Sequence, residues 1–410
     1  MPNTTLTASI IAKEALMILE NKLAMKDLVY RGYEDEFDKN INGYKVGDTV
    51  TIRRPTQFTV RTTEVMSQQD TVEGSTSISV NKVAGVDFGF TMTDLTLKIG
   101  DLSERVIKPA MVQITDKIDQ DLNALFKDVN NWVGTPGNLL TNYASFAAGS
   151  ARLSNLAVPL DGRSAILSVD DKYSMLGNAT GPNSIFDSST VGKAFHQGEL
   201  GTVDGVTCFE TQNAGVLTCG TRTVGTNSGG VATTWAASKD VGTQTLAVAG
   251  LGAAGTVKEG EVFTLAGVFD VNPINKTTQT FLKQFVVTAD ATADGAGAAT
   301  LTIRPAMILT GAFQNISAQP AANAVLTWKG TASTSYRQNM IFQKNAFALC
   351  IVPMERPEGA VKVSRMSHNG VSVRVIPVYD GANNTSAWRL DVLYGLRTID
   401  ERRAVRVNGA

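Results

Sequence analysis

The fold is decided by residues 100–132, GDLSERVIKPAMVQITDKIDQDLNALFKDVNNW. Apolar residues recur there every three or four positions, a spacing that places them on one face of an α-helix. They are Leu102, Val106, Ala110, Ile114, Ile118, Leu122, Leu125 and Val129. Asp101 and Glu104 form a capping-box pattern at the start. Pro109 predicts a kink, or a short first helix followed by a longer one. The stretch from Asp101 to Trp132 therefore predicts a long amphipathic spine helix.

The composition favours a β-rich chain of two or three domains with balanced charge. The 410 residues include 37 Lys and Arg, 38 Asp and Glu, and 37 Gly. A sequence-reading nucleic-acid-binding protein is usually more basic. A charged fraction of 18% suits a chain that covers much of its surface with copies of itself. The N-terminus has no secretory pattern, and no run of 18 apolar residues predicts a membrane span. We therefore expect synthesis in a reducing cytoplasm and no membrane partner.

The N-terminal part predicts a second helix and an acidic segment. Residues from Thr7 to Met25 carry apolar side chains at helical spacing and need a surface to lie on. They are followed by an acidic cluster at Glu34, Asp35 and Glu36. The cluster lacks the spacing of a calcium-binding loop, so we interpret it as a solvated or intersubunit patch.

Residues 45–93 change to the alternation that is typical of β-strands. The stretches KVGDTVTIRRP, FTVRTTEV and SISVNKVAGVDFGFTM alternate, and the polar stretch MSQQDTVEGST precedes the last of them. Two extended arms joined by a polar tip predict a long hairpin. An isolated hairpin cannot bury its faces, so we expect this one to lie on another molecule.

The remainder predicts a mixed body that is interrupted by a β-domain. After the long helix we predict a helix, a turn at residues 159–162, a buried strand from Ser164 to Val169 and another helix. Between Thr223 and Met340, short strands at close spacing predict a small β-barrel or sandwich. The strands that follow Met340 continue the body, so residues 223–340 are predicted to be an insertion.

No pattern in the chain predicts catalysis, a cofactor or a metal site. Residues 250–255, GLGAAG, match GxGxxG, but the sequence after them predicts a strand and not the helix that a dinucleotide site requires. His196 and His368 belong to no recognisable Ser/Cys–His signature. The three cysteines, Cys208, Cys219 and Cys350, are interpreted as buried free thiols.

The order of these elements resembles the tailed-phage major capsid proteins of the Hong Kong 97 fold, in particular the podophage coat proteins with an inserted β-barrel domain. The stretches that carry the resemblance are NKLAMKDLV, ITDKIDQDLNALF, VPLDGRSAILS, KEGEVFTLAGVFDVNP, FVVTADATADGAGAATLTIRP and WRLDVLYGLRTIDERRAVRV. They are spread over nearly the whole chain.

The resemblance implies an α+β fold with a specific domain division. Residues 1–45 would form the N-arm and residues 46–92 the extended loop. Residues 93–150, with the spine helix at 101–132, and residues 381–410 would form the peripheral domain. Residues 151–222 and 341–380 would form the axial domain, and residues 223–340 the inserted all-β barrel.

The resemblance also implies a function and its partners. The chain would be a capsid subunit, not an enzyme, that self-assembles into pentamers and hexamers of an icosahedral shell around double-stranded DNA. Assembly in the host cytoplasm would involve a separate scaffolding protein and a portal protein, and the virion shell would contact the DNA non-specifically. Decoration proteins are a further class of partner. Lys82 is the only lysine of the extended loop, and no acceptor for a covalent crosslink is identified, so non-covalent locking is expected. The candidate intersubunit contact residues are Glu34, Asp35, Glu36, Arg53, Arg54, Arg61, Glu64, Glu73, Arg402 and Arg403.

Three other functions compete with this interpretation. The first is an encapsulin-like bacterial compartment shell, which neighbouring portal and terminase genes would argue against. The second is a β-rich surface binding module that uses the Gly/Thr-rich residues 223–257, although the chain carries no secretion pattern. The third is a hydrolase, which would have to lose its activity in the His196→Ala variant.

Overall fold

The computed structural model describes residues 28–37, 40–41, 44–45, 48–66, 68–69, 71–91, 106–179, 200–229, 232–357, 363–368 and 371–410, with Lys13, Ala15 and Met25. Most of the predicted N-terminal helix, the capping pair Asp101 and Glu104, and His196 lie outside the described residues. The chain forms two compact units. Unit 1 comprises Met1–Thr51, Ser77–Leu122 and Phe347–Arg397, and unit 2 comprises Ile52–Thr76, Asn123–Ala346 and Thr398–Ala410.

The described α-helices are α1 (Glu34–Phe37), α2 (Lys108–Asn123), α3 (Tyr143–Asn155), α4 (Val169–Ala179) and α5 (Trp235–Ser238). Short 3-10 helices cover Ala124–Asp128, Lys344–Ala346 and Glu401–Arg403. The described strands are β1 (Asn40–Ile41), β2 (Tyr44–Lys45), β3 (Thr49–Arg53), β4 (Ser75–Ser79), β5 (Lys82–Thr91), β6 (Trp132–Val133), β7 (Arg163–Ser168), β8 (Thr202–Val203), β9 (Val206–Thr211), β10 (Val216–Thr218), β11 (Thr226–Asn227), β12 (Gln244–Ala249), β13 (Thr256–Val257), β14 (Val262–Val271), β15 (Thr278–Val287), β16 (Ala291–Thr292), β17 (Ala299–Arg304), β18 (Leu326–Trp328), β19 (Ser335–Arg337), β20 (Asn339–Gln343), β21 (Phe347–Val352), β22 (Ser364–His368), β23 (Val371–Asp380), β24 (Thr385–Thr398) and β25 (Ala404–Val407).

The predicted spine helix is present as α2, and its apolar stripe is confirmed. The stripe is buried at Ile107, Ala110, Met111, Ile114, Ile118 and Leu122. Residues 106–107 are π-helical, and α2 begins at Lys108 with Pro109 as its second residue. The helix geometry is therefore irregular next to the proline, as the sequence predicts, and the predicted first helix at residues 101–105 lies outside the described residues.

The prediction that the helix continues to Trp132 is wrong. A 3-10 helix follows Asn123, and Trp132 belongs to β6, which pairs in parallel with β25. The chain becomes extended here because side chains bind distant backbone. Nδ2 of Asn130 donates to the Gln284 carbonyl at 2.9 Å, and the Gln284 amide exchanges hydrogen bonds with the Trp132 backbone at 2.7 and 2.8 Å.

Unit 1 contains a five-stranded sheet built largely from the C-terminal part of the chain. Its strand order is β21-β24-β23-β22, and β5 pairs with β24. The β5–β24 ladder is antiparallel and runs from the pair Thr91–Thr385 to the pair Lys82–Tyr394. The long strand β24 therefore joins the C-terminal end of the extended loop to the hairpin that β24 forms with β23.

The extended loop is paired less regularly than the predicted hairpin. β3 and β4 pair at its base, and the Arg54 N–H donates to the Gly74 carbonyl at 2.8 Å. The described residues between them form no strand, so the predicted strand at FTVRTTEV is wrong. The predicted second arm divides into β4 and β5, because β5 takes a partner about 300 residues away in sequence in place of β3.

Unit 2 contains a central sheet in the order β6-β25-β20-β7-β9-β8. Strand β7 is buried at every position, and α3 and α4 contribute to the apolar core beside it. The helix, turn, buried strand and helix predicted for residues 138–176 are therefore confirmed.

The Gly/Thr-rich part of unit 2 forms a six-stranded antiparallel sheet in the order β11-β12-β17-β15-β14-β18. Its core includes Leu246, Phe263, Leu265, Phe285, Leu301 and Ile303. Strand β13 and then β14 follow the GxGxxG match, and Gly250 and Gly252 have φ of +76° and +86°. The match is therefore a turn between strands, as the sequence predicts.

Candidate subunit-contact surface

The most exposed apolar side chains of the described loop lie in residues 58–66, which we call the loop tip. Phe58 is 57% exposed, Val60 93%, Val65 78% and Met66 79%. Single exposed apolar residues are ordinary, but several of them on one short segment mark an interaction site. The loop tip is therefore the first candidate for contact with another subunit.

The loop tip is held in its conformation by polar contacts of its own. The Thr59 N–H and hydroxyl donate to Oε1 of Gln69 at 2.9 and 3.0 Å, and Nε2 of Gln69 donates back to the Thr59 carbonyl at 2.6 Å. Nη1 of Arg61 donates to the carbonyls of Thr63 and Glu64, each at 2.7 Å. These contacts fix the backbone while the apolar side chains stay exposed to solvent.

The returning side of the loop is fastened to the segment around α5 by contacts that we call the loop clamp. Nε1 of Trp235 donates to the Val72 carbonyl at 2.9 Å, and the indole stacks on Phe313 at 3.7 Å between ring centroids. The Ser75 N–H and hydroxyl both donate to Oδ1 of Asp240, at 2.9 and 2.8 Å. A hydrogen bond from Lys239 and the two from Ser75 lower the pKa of Asp240 to about 2.

The clamp requires a glycine at position 74. A Cβ atom there would lie 2.6 Å from the Lys239 carbonyl oxygen and 2.9 Å from an indole carbon of Trp235. Such distances are shorter than van der Waals contact, so the loop backbone approaches this closely only because residue 74 has no side chain.

A cavity of about 320 Å³ lies beside the loop tip within unit 2. Its walls combine apolar side chains with two arginines and one carboxylate. The lining residues are Gln57, Phe58, Val60, Leu156, Ala157, Val158, Pro159, Pro273, Ile274, Asp400, Arg402 and Arg403. A volume of this size is at the lower end for ligand pockets, roughly 300–1,000 Å³.

The charged wall of the cavity is organised by Asp400. Its carboxylate receives Nε and Nη2 of Arg402, each at 2.9 Å, and Nε of Arg403 at 3.3 Å. Burial raises the pKa of Asp400, but the two guanidinium groups outweigh it and hold the pKa below its ordinary value. Nη1 of Arg403 also donates to Oε1 of Gln343 at 2.9 Å.

A third cation lies close to the same wall. Nζ of Lys276 donates to the carbonyls of Pro273, at 2.7 Å, and Ala312. Burial, with the positive charge of Arg402, lowers the pKa of Lys276 to about 8. The Glu401 carboxylate also interacts with Arg402, so three cations and two carboxylates leave an excess of about one positive charge here near neutral pH.

The sequence-predicted contact residues lie in three places: the extended loop, the cavity wall and the acidic cluster. Arg53 and Glu73 form an ion pair at 3.4 Å with side chains that are 84% and 49% exposed. Arg54 is placed at the loop base, and Arg61 and Glu64 lie in the loop tip. Arg402 and Arg403 face the cavity that the loop tip also lines.

The acidic cluster lies in unit 1. The Glu34 carboxylate is bound by Arg31 at 2.9 and 3.0 Å and accepts the Ile351 N–H at 3.2 Å. Glu36 is half-buried, and the Asp35 side chain lies outside the described residues. The Glu34 carboxylate thus has partners within its own chain.

Several residues of this surface were missed by the sequence analysis. Trp235, Asp240, Lys276 and Asp400 carry no motif. The sequence does hold one indication of the role of Asp240: Lys239 and Asp240 are the only charged residues between positions 223 and 257. A lone charged pair in a Gly/Thr-rich stretch indicates a specific polar contact.

Other kinds of site receive no support within the described residues. No three His, Cys, Asp or Glu side chains there are grouped so that they could hold a metal ion. No described helix combines the length and the apolar character needed to cross a membrane. Burial raises the pKa of Cys208 and Cys350 to about 12 and that of Cys219 to about 11, so these free cysteines are protonated thiols at neutral pH.

Comparison with known families defines the class of protein. Residues 3–404 match the family model described as "P22 coat protein - gene protein 5". The chain is therefore a structural phage coat protein, the major capsid protein of an icosahedral shell. It belongs to the P22 coat protein family. This match favours a phage capsid over a bacterial compartment shell, and the family is structural and not enzymatic. No curated protein sequence matches the chain.

Solved structures with a similar chain include one from Mycobacterium phage Che8, at 13% identity and a TM-score of 0.49, covering 95% of this chain and 92% of that one. The capsid of Cyanophage P-SCSP1u is similar at 8% identity and a TM-score of 0.42, covering 89% and 84%. The virus-like particle from Pyrococcus furiosus is similar at 7% identity and a TM-score of 0.41, covering 97% and 96%.

Proposed function

We propose that this coat protein assembles into pentamers and hexamers that close an icosahedral shell around double-stranded DNA. The observation that carries the proposal is the family match over residues 3–404. The exposed loop tip supports it, because a coat subunit must reach beyond its own core to hold its neighbours.

The domain division of the Hong Kong 97 fold is part of the proposal. Residues 1–45 serve as the N-arm, 46–92 as the extended loop, 93–150 with 381–410 as the peripheral domain, and 151–222 with 341–380 as the axial domain. Residues 223–340 serve as the inserted β-barrel. The six-stranded sheet and its continuous core support the last assignment. The clamp at Trp235 and Asp240 gives this insertion a role, which is to fasten the extended loop of its own subunit.

Each loop contributes a small gain to a large assembly. Burying one large apolar side chain stabilises a contact by about 1.5–3 kcal/mol, and the loop tip offers four. Ordering and desolvation offset part of that gain. A shell repeats the contact for every subunit, so weak individual contacts add to a stable particle.

Locking of the shell is proposed to be non-covalent. Nζ of Lys82 lies 2.9 Å from Oδ2 of Asp121, which also accepts the Tyr394 hydroxyl at 2.9 Å. Nζ of Lys117 binds the other oxygen of Asp121 at 2.9 Å. These contacts engage the one lysine of the extended loop in ion pairing within its own subunit.

The proposed partners are a scaffolding protein and a portal protein during assembly in the host cytoplasm, and packaged DNA afterwards. The balanced charge, with 37 basic and 38 acidic side chains, supports weak and non-specific phosphate contacts inside the shell. Intersubunit roles are also proposed for the candidate contact residues. They are Glu34, Asp35, Glu36, Arg53, Arg54, Arg61, Glu64, Glu73, Arg402 and Arg403.

Expression of the chain with and without its scaffolding protein tests the proposal. We expect closed, uniform shells in negative-stain micrographs when both are present, and small oligomers or irregular aggregates when the coat protein is alone. A coat protein that stays monomeric with its scaffolding protein at high concentration would refute the proposal.

A further inference from the structure

We propose that the cavity lined by Arg402 and Arg403 receives the loop tip of a second copy of this chain, with Glu64 facing the two arginines and Val65 and Met66 against the apolar walls. The inference rests on the proposed function, because it specifies one contact between subunits of the shell.

The chemistry of the cavity selects an occupant that is both acidic and apolar. Phe58, Leu156, Val158 and Ile274 offer apolar contact. The three cations beside them exceed the Asp400 and Glu401 carboxylates by about one charge, so a further carboxylate would be attracted. A purely apolar segment would shield this excess charge from water without supplying a counter-ion, which is costly.

The loop tip has this composition and lacks a partner of its own. Val65 and Met66 are 78% and 79% exposed, so they do not fill the cavity of their own subunit. Glu64 is exposed as well. Among the described residues, none donates a hydrogen bond to its carboxylate, although its backbone carbonyl is bound by Arg61.

Another exposed segment with an acid beside apolar residues is a poorer fit. Val378 and Tyr379 are 54% and 60% exposed next to Asp380. The Asp380 oxygens already accept the Ala382 N–H at 2.9 Å and Nδ2 of Asn383 at 2.7 Å. That carboxylate is engaged in its own turn, whereas the Glu64 carboxylate is available.

A phosphate of packaged DNA is the competing occupant, and the cavity suits it less well. Eight of the twelve lining residues are apolar. Phosphate sites commonly offer several free donors and water access. An organic carboxylate on an apolar segment matches the cavity better.

Disulfide trapping between two differently marked subunits tests the inference. One chain carries Met66→Cys, and a second, affinity-tagged chain carries Ile274→Cys, a cavity residue that is 75% exposed. The two are co-assembled with the scaffolding protein and oxidised with copper phenanthroline. A disulfide between a tagged and an untagged chain is necessarily intersubunit, and it forms only when the two Cβ atoms approach to about 4 Å. The matched control replaces Ile274→Cys by Val325→Cys, an exposed position of the same unit that does not line the cavity.

We expect tagged–untagged dimers in shells with the cavity cysteine and at least tenfold fewer with the control cysteine. Intact shells with equal trapping at both positions, or none, would overturn the inference and leave the proposed function standing. Trapping of Met66→Cys to a scaffolding or other protein would also overturn it. Failure of the wild-type chain to form shells refutes the proposed function itself.

Charge reversal gives a second measurement that needs no cysteine. Glu64→Lys and Arg403→Glu should each raise the coat concentration needed for assembly at least tenfold, and the double variant should recover part of that loss. Normal assembly of both single variants would overturn the inference. Normal assembly of Arg403→Glu with reduced DNA packaging would do so too, by assigning the cavity to phosphate.

Discussion

Replacement of Trp235 tests whether the insertion fastens the extended loop. Trp235→Phe keeps a ring to stack on Phe313 but removes the 2.9 Å hydrogen bond to the Val72 carbonyl. Such a bond contributes about 0.5–1.5 kcal/mol net, so opening of the clamp should become roughly fivefold more frequent. Trp235→Ala also loses the stacking and the burial of the indole, about 2–3 kcal/mol in all, which corresponds to roughly 30- to 150-fold.

Hydrogen exchange of peptides covering residues 71–79 measures this opening directly, since exchange through local opening follows its free energy. Trp328→Phe is the matched control. It removes the same kind of bond, from Nε1 to the Val224 carbonyl at 2.7 Å, at a position away from the loop. Exchange at residues 71–79 should stay unchanged in this control. Equal exchange in wild-type, Trp235→Phe and Trp235→Ala chains would refute the clamp.

Three further predictions concern stability and reactivity. Lys283→Met leaves the Asp270 carboxylate of a buried 2.9 Å ion pair without its cation and should destabilise the β14–β15 region by roughly 3–5 kcal/mol. The double variant Lys283→Met, Asp270→Leu should recover most of this loss. Hydrogen exchange of the two strands measures both effects, and a double variant that is less stable than Lys283→Met would contradict the prediction. Burial and a nearby helix carboxylate raise the pKa of Asp119 from 3.8 to about 7. The folded chain therefore binds this proton more tightly than the unfolded chain, and the resulting stabilisation is complete below about pH 4. It amounts to at most about 4 kcal/mol and is lost as the pH rises through 7. The urea midpoint of the unassembled chain should fall over that range in wild type and not in Asp119→Asn, and parallel curves would contradict the assignment. The raised pKa values of Cys208, Cys219 and Cys350 predict reaction with a disulfide reagent at pH 8 only after unfolding, and rapid labelling of the folded chain would contradict them.

The parts of the fold that follow from local pattern were predictable. The stripe from Ile107 to Leu122 needed only helical spacing, and the strand Arg163–Ser168 only a short apolar run between turn residues. The end of the spine helix was not predictable, because the extended chain after it is held by a hydrogen bond between Asn130 and Gln284, which are 154 positions apart in sequence. The partner of β5 was missed for the same reason, since alternation indicates a strand but not its neighbour.

The candidate contact surface was predictable only in part. The loop and its charged residues follow from alternation and composition. The cavity joins segments near residues 58, 157, 273 and 402, and no local pattern indicates that these meet. The clamp depends on Gly74, whose need for a missing side chain appears only once Trp235 is placed against it.

The most direct test of the account replaces residues 58–66 by a Gly/Ser linker of equal length and measures assembly with the scaffolding protein by sedimentation. We predict that this variant folds, with wild-type hydrogen exchange in β12, β14, β15 and β17, yet forms no closed shells at concentrations where wild type assembles. Shells of normal size and yield from the linker variant would contradict the claim that the loop tip joins one coat subunit to the next.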